Sequence, residues 1–311
     1  MCAVLLAGAV AAASAQDWQA PRTAWGDPDF DGIWISANTV GLPFQRLQQP
    51  ASDGELLREL VDSGALEYGL IGEGVPQEAR LEHRRLELSS WRSSNFGWGS
   101  LVIDPADGRL PPLVAGARER AAAAWRSSVL TTGPWDSAAS LGPVERCISR
   151  GALRSMLPAY DYNAMQFVQA PGTIVIRIEA IHEARIIPLD DRPPLSPAVQ
   201  GYMGNARGRW DGDTLVVETA NFNGRTGAHL NGNEGPTTDA LRLLERFTRV
   251  DEETIEYHVT VTDPGTWLAP WTVMSQLTRD DGYPLMEYAC HEGNYALRHI
   301  LSAARFAEAS R

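Results

Sequence analysis

From about residue 162 onward the chain alternates β-rich runs with tight turns, and no other feature restricts its fold as strongly. TIVIRIEA (173–180) and ARIIPLD (184–190) flank Ile181-His182-Glu183. Residues 207–210 and 214–219 flank Asp211-Gly212-Asp213. LRLLERFTRV (241–250) and TIEYHVTVTD (254–263) flank Asp251-Glu252-Glu253, and residues 270–280 and 283–291 flank Asp281-Gly282. β-Branched and aromatic runs bounded by Gly and Asp turns read as hairpins, here four hairpins and eight strands. Parallel pairing would need crossovers of a dozen residues or more, and none fits these gaps. The expected fold is mainly β, an up-and-down antiparallel β-barrel or a strongly curved sheet.

The rest of the chain has a different texture. Residues 294–309 (NYALRHILSAARFAEA) read as an amphipathic C-terminal helix able to cover a barrel end or a sheet edge. Residues 16–50 read as an extended lead-in with one strand at about 32–36, and 98–104 (WGSLVID) as another, closed by a turn at 105–108. Residues 53–64, 76–90 and the Ala-rich 114–127 read as helices. The expected organisation is a targeting segment (1–15), an N-terminal extended and helical region that packs on the barrel (16–160), and the barrel with its final helix (161–311).

The targeting segment is the apolar run CAVLLAGAVAAAS (2–14), with Ala13-Ser14-Ala15 as a small-x-small cleavage site. It is too short to span a bilayer, and no later apolar run reaches 18 residues. The basic residues that ordinarily precede such a run are missing, which predicts a natural start further upstream. A periplasmic or secreted protein is expected. Once Cys2 leaves with the leader, Cys147 and Cys290 remain. An even count in an oxidising compartment favours a disulfide; the rival is a catalytic or metal-binding thiol.

Composition excludes several functions. Net charge is −12, against a nucleic-acid partner, which requires a basic face. All 27 basic residues are Arg, so a lysine Schiff base and a P-loop are both impossible. There is no Gly-x-Gly-x-x-Gly fingerprint and no Gly-x-Ser-x-Gly elbow. No organic cofactor and no resident metal is expected, and the oligomeric state is not readable.

GDPDFDGIW (26–34), ERCISRG (145–151), IHEARIIPLD (181–190), GRWDGDTLVVETANF (208–222), ERFTRVDEETIEYHVTVTDP (245–264) and YACHEGNY (288–295) resemble a family of exported, mostly uncharacterised bacterial proteins. The resemblance covers about residues 26–305. It implies that Cys147 and Cys290 belong to one pattern, as a disulfide requires. The chain is also similar to cofactor-independent lyases of lignin-derived aromatic dimers, though no residue can be matched to them. The hairpin series with Trp210 and Trp271 looks calycin-like, as in lipocalins, a likeness of fold alone.

Five groups of residues could carry chemistry. Glu179, His182 and Arg185 sit at one strand–turn–strand junction and offer a base, an acid and an anion clamp. His291 and Glu292 stand at a strand end beside Cys290. Adjacent strand residues face opposite ways, and HExxH is absent, which removes a zincin. Glu292 has a second possible role, capping the last helix. Tyr162 and Asn163 precede a barrel strand. Arg209 and Asn221 flank the Asp211–Asp213 hairpin. Trp271 and Tyr288 belong to an aromatic-rich set suited to an apolar ligand. The expected function is a lyase or isomerase without an organic cofactor. It would act by acid–base chemistry on a small apolar or aromatic molecule in a barrel cavity, with His182, Glu179, Arg185, His291 and Glu292 as catalytic candidates. The alternatives are a non-catalytic lipocalin-like binding protein and a metal-dependent hydrolase.

Overall fold

The computed structural model describes residues 18–36, 44–46, 100–120, 135–158, 163–226 and 237–310. The helical readings at 53–64 and 76–90, the targeting segment and Tyr162 lie outside the described residues. The fold is mainly β, with ten antiparallel strands in a nearly closed barrel. They are β1 (Gly32–Ile35), β2 (Val102–Asp104), β3 (Ala164–Ala170), β4 (Thr173–Ile178), β5 (Ala184–Pro188), β6 (Asn205–Asp211), β7 (Thr214–Ala220), β8 (Arg242–Arg249), β9 (Thr254–Thr262) and β10 (Trp271–Arg279). Two α-helices, α1 (Ala152–Met156) and α2 (Ala296–Ala309), and short 3-10 turns at Ala138–Ser140 and Ala180–His182 accompany them. Residues 117–120 are also helical, within the expected Ala-rich helix at 114–127, the rest of which past 120 lies outside the described residues.

Strict alternation explains the wall. In β4 Ile174, Ile176 and Ile178 are buried while Val175 and Arg177 face out; in β9 Ile255, Tyr257, Val259 and Val261 are buried. A period of two places one such set on the inner face of a sheet. The inner space is filled by side chains: Phe167 meets Phe247 at 5.7 Å between ring centroids, and Phe247 stacks on Tyr257 at 4.7 Å. Trp34, Trp271, Met165 and Leu277 are fully buried around them.

The strand order is β5-β4-β3-β1-β10-β9-β8-β7-β6, with β2 on the side of β10. Read as a ring, this is up-and-down order, with β1 closing between β3 and β10. Every hydrogen-bonded pair is antiparallel. Nine strands cannot alternate direction all the way round a ring, so β5 and β6 run the same way. No ladder joins them among the described residues. Side chains close that seam: a Cβ on Gly208 of β6 would lie 2.6 Å from Leu189 Cδ2 and 2.7 Å from Ile187 Cγ2. Only glycine permits so close an approach. The linker from β5 crosses β6, with Arg207 Nη2 donating to Pro193 O at 2.8 Å and Leu195 N to Asn205 Oδ1 at 3.4 Å. Pro193 and Pro194 offer no N–H to an incoming strand, a guard for an open edge.

Three of the four expected hairpins form, β4–β5, β6–β7 and β8–β9. Two more join β3 to β4 and β9 to β10. The fourth does not form, because residues 283–291 are not a strand. The edge of β10 that they would need is already taken. β1 pairs there through Trp34↔Arg279 and Ile35↔Thr278, and β2 through Val273↔Val102. The Asp281 carboxylate accepts the Ile33 N–H at 3.1 Å, which turns the chain away beyond Gly282. Helix α2 is shorter than expected and buries none of its residues, so it covers neither barrel end nor sheet edge. Arg305 ties it to the carbonyls of Trp135 and Asp136 at 2.9 and 3.1 Å.

Candidate functional site

The expected Glu179–Arg185 pairing across the β4–β5 hairpin does not form, because its two members go to different places. The ladder sets Arg185 opposite Ile176 and ends at Arg177↔Ala184. Arg185 shares a face with Ile187 and points inward. Inside the barrel its Nη1 donates to Glu245 Oε1 at 2.7 Å, and its Nη2 bonds Glu245 Oε2 and, at 3.1 Å, Thr219 Oγ1. Tyr257 OH donates to Glu245 Oε1 at 2.8 Å, and Thr219 Oγ1 to Oε2 at 3.2 Å. All four residues are buried. Burial acts to lower the affinity of the Arg185 guanidinium for its proton, but the charge and hydrogen bonds of Glu245 outweigh it and hold the pKa above the ordinary arginine value. Burial first, and then the neighbouring carboxylate, pushes the Tyr257 phenol well above its usual range. The carboxylate thus has four donors and the guanidinium a two-pronged acceptor, the arrangement a buried pair needs to offset desolvation.

Glu245, Tyr257 and Thr219 had no place among the expected site residues, although a signal was present. In LRLLERFTRV the alternation that sends Leu241, Leu243 and Phe247 inward also sends Glu245 inward. A carboxylate on a buried face demands a buried cation, and Arg185 occupies the same register as Ile187.

Glu179 turns the other way. It is buried at the barrel rim, where Tyr283 OH donates to both of its oxygens at 3.0 and 3.1 Å and Met286 N to Oε1 at 3.3 Å. Between Glu179 and β5 the backbone is contorted: Ile181 has φ +55° and His182 φ +44°. A β-branched residue in the left-handed region is a genuine outlier, costing about 1–3 kcal/mol. Its surroundings hold it there. Ile181 is buried, Ile178 N donates to Glu183 O at 2.7 Å, and the Glu183 carboxylate accepts from Ser149 Oγ, Arg150 N (3.2 Å) and Ser155 Oγ (3.1 Å). The result is an exposed His182 whose Nδ1 lies 3.2 Å from Tyr288 O. A carbonyl can only accept, so the neutral ring carries its proton on Nδ1. Nε2 is left with a free lone pair and no partner among the described residues.

The segment that supplies Tyr288 crosses this rim. It is pinned by a disulfide between Cys147 and Cys290, with Cα atoms 5.7 Å apart. This settles the thiols as a half-cystine pair. Asn294 Nδ2 donates to the Cys147 sulfur at 3.3 Å. Between this segment, the 141–145 loop and α2 lies a cleft of about 580 Å³. Leu141, Val144, Leu297 and Ile300 form its apolar wall, and Glu145, Glu287, Tyr288 and Asn294 its polar one. His182 does not line the cleft; it meets it through Tyr288, whose carbonyl it holds.

The remaining expected site residues are dispersed. His291 and Glu292 are exposed beside the disulfide, and neither side chain bonds any described residue. Glu292 does not cap α2, whose N-cap is Tyr295 without a side-chain hydrogen bond. Asn163 accepts the Ser36 N–H through its carbonyl at 3.4 Å. Arg209 pairs with Glu218 on the outer surface at 2.8 Å. Asn221 ends its strand with φ +60° and donates to Leu195 O and Ser196 O, holding the β5–β6 linker. Trp271 is buried in the core against Trp267 and Phe44. Tyr288 alone of this group lines the cleft. Among the described residues no three of His, Cys, Asp and Glu converge as a metal site, and no described helix is long and apolar enough to cross a membrane. In comparisons with models of protein families, with curated proteins and with solved structures, none matches this chain.

Proposed function

We propose that this protein is an acid–base enzyme of lyase or isomerase type that needs no organic cofactor and acts on a small apolar or aromatic molecule. The reading places the substrate in the rim cleft instead of within the barrel, because large side chains fill the barrel interior. His182 is the base. A molecule seated against Leu141, Val144 and Ile300 extends past Tyr288 to reach Nε2, and the Tyr288 carbonyl stabilises the imidazolium that forms after proton abstraction. Glu179, already bonded by Tyr283 and Met286, fixes the rim, and Arg185 serves the barrel interior. The observation that carries the reading is His182 itself: a strained, exposed imidazole with one committed nitrogen and one free one.

Export to an oxidising compartment belongs to the same proposal. The disulfide and the apolar run before Gln16 support it, and cell fractionation with sequencing of the mature N-terminus tests it.

The catalytic reading is tested by proton exchange. Small aryl and alkyl compounds bearing an activated C–H are incubated with the protein in deuterium oxide and followed by proton NMR. The expected result is loss of one C–H signal at a rate that falls at least about a hundredfold in His182→Asn and His182→Gln, the size of a general-base contribution. Binding without exchange would favour the carrier reading, and exchange that survives both substitutions would remove His182 from the chemistry.

A further inference from the structure

The rim cleft has walls of one sign. Among the described residues Glu145 and Glu287 line it and no arginine does, and the chain has no lysine. The two glutamates are distant in sequence and line one cleft, on segments that the Cys147–Cys290 bond joins. Among the described residues neither carboxylate forms a hydrogen bond or an ion pair, although ion pairs cover much of the surface, as at Arg209–Glu218, Arg246–Asp211 and Arg305–Glu308. The N-terminus of α2, near Asn294 and Leu297, opposes the two carboxylates with the equivalent of about half a positive charge.

We infer that the cleft is built for an amphiphilic cation: an apolar or aromatic body carrying a protonated amine or similar positive group, with the body on Leu141, Val144, Leu297 and Ile300 and the charge between Glu145 and Glu287. A carboxylate ligand would meet uncompensated like charge here, and a purely apolar one would desolvate two carboxylates without return. This inference rests on the cleft being the substrate site of the proposed enzyme, and it names the substrate class.

The test uses the full-length mature protein and three probes of one shape: 3-phenylpropylamine, 3-phenylpropan-1-ol and 3-phenylpropanoate. Calorimetric titration at low ionic strength is expected to rank amine above alcohol above carboxylate. The amine should bind about tenfold tighter than the alcohol. Glu145→Gln with Glu287→Gln should erase that advantage and leave the alcohol unchanged. Raising salt should weaken the amine alone. Leu297→Trp, which fills the cleft, should abolish binding of all three.

Equal binding of amine and alcohol, or tighter binding of the carboxylate, overturns the cationic class while the cleft stands. Binding that persists in Leu297→Trp, or absent binding of every probe, overturns the cleft as the site and this inference with it. Amine binding that follows the expected ranking, without proton exchange in the wild-type protein, keeps the cation site and removes the enzymatic reading.

Discussion

Arg185 and His182 lie three residues apart on one hairpin, and their surroundings are opposite. Arg185 is sealed in the barrel with Glu245, Thr219 and Tyr257, both terminal nitrogens of its fork bonded and its Nε without a partner among the described residues. His182 stands in solvent on strained backbone with one ring nitrogen free. A buried ion-pair cluster of this kind specifies packing and register, and burial closes it off from solvent. An exposed group held in an unfavourable conformation by a rigid frame is open to a substrate. Perturbed ionisation therefore does not coincide with the proposed site in this molecule. The clearest shifts, at Arg185 and Tyr257, mark structure, and the candidate chemistry sits where the geometry alone is unusual.

The contrast can be broken from the interior first. Glu245→Ala leaves a buried guanidinium unpaired and should cost about 3–5 kcal/mol of unfolding free energy in urea titrations. Combining Arg185→Met, Glu245→Leu and Tyr257→Phe should recover most of that loss, since apolar replacement of a whole buried network is often neutral. A loss under about 1 kcal/mol in Glu245→Ala would mean that water reaches the cluster.

The rim responds differently. Replacing Cys147 and Cys290 by Ser opens a loop closed across 143 residues and should lower stability by about 2–4 kcal/mol. Limited proteolysis should then cut residues 283–310 before the barrel strands, because α2 buries nothing of its own. Simultaneous cleavage throughout would show that rim and barrel are one cooperative unit.

A smaller effect tests Tyr257. Burial, followed by the Glu245 charge, raises its folded pKa well above the ordinary value. Below pH about 10 the phenol is neutral in both folded and unfolded chains. Above that value the unfolded chain loses its proton and the folded one keeps it, so stability falls as pH rises through this window. Tyr257→Phe should flatten the alkaline limb of a stability–pH curve by one proton. An unchanged slope would show that the phenol is not held in its neutral form.

The smallest change in stability belongs to His182→Asn. Asparagine tolerates the left-handed backbone, and the side chain is exposed, so the melting curve should move by no more than about 0.5 kcal/mol while proton exchange disappears. A large loss of stability here would make His182 one more structural residue and dissolve the contrast.

How much of this was readable in advance depends on the range of the interaction. Alternation in TIVIRI and TIEYHVTVT reports the inner face directly, because neighbouring residues decide it. The same rule, followed through β8, reveals Glu245. The failed fourth hairpin is a long-range matter. Residues 283–291 follow a sound turn at Asp281-Gly282, but a strand some 248 residues away already occupies the edge they need. The rim cleft is equally non-local: Glu145 and Glu287 line it together although they are far apart in sequence. His182 was visible as a turn residue; its strain and its bond to Tyr288 were not, since both depend on where the 283–291 segment lands.

β1 is four residues long, yet among the described residues it is the only strand that bonds the β3–β5 meander to the β6–β10 meander. It acts as a clasp. Each meander can assemble from its own local turns as it emerges, but the clasp must wait for both, pairing Gly32 with Phe167 on one side and Trp34 with Arg279 on the other. Contacts at such separations are slow to form. Until they do, the two half-sheets present bare edges and half-covered aromatic faces, Trp34's future neighbours among them. A chain built this way can complete its sheet only after β10 has been made, when Gly32–Ile35 has both of its partners to pair with.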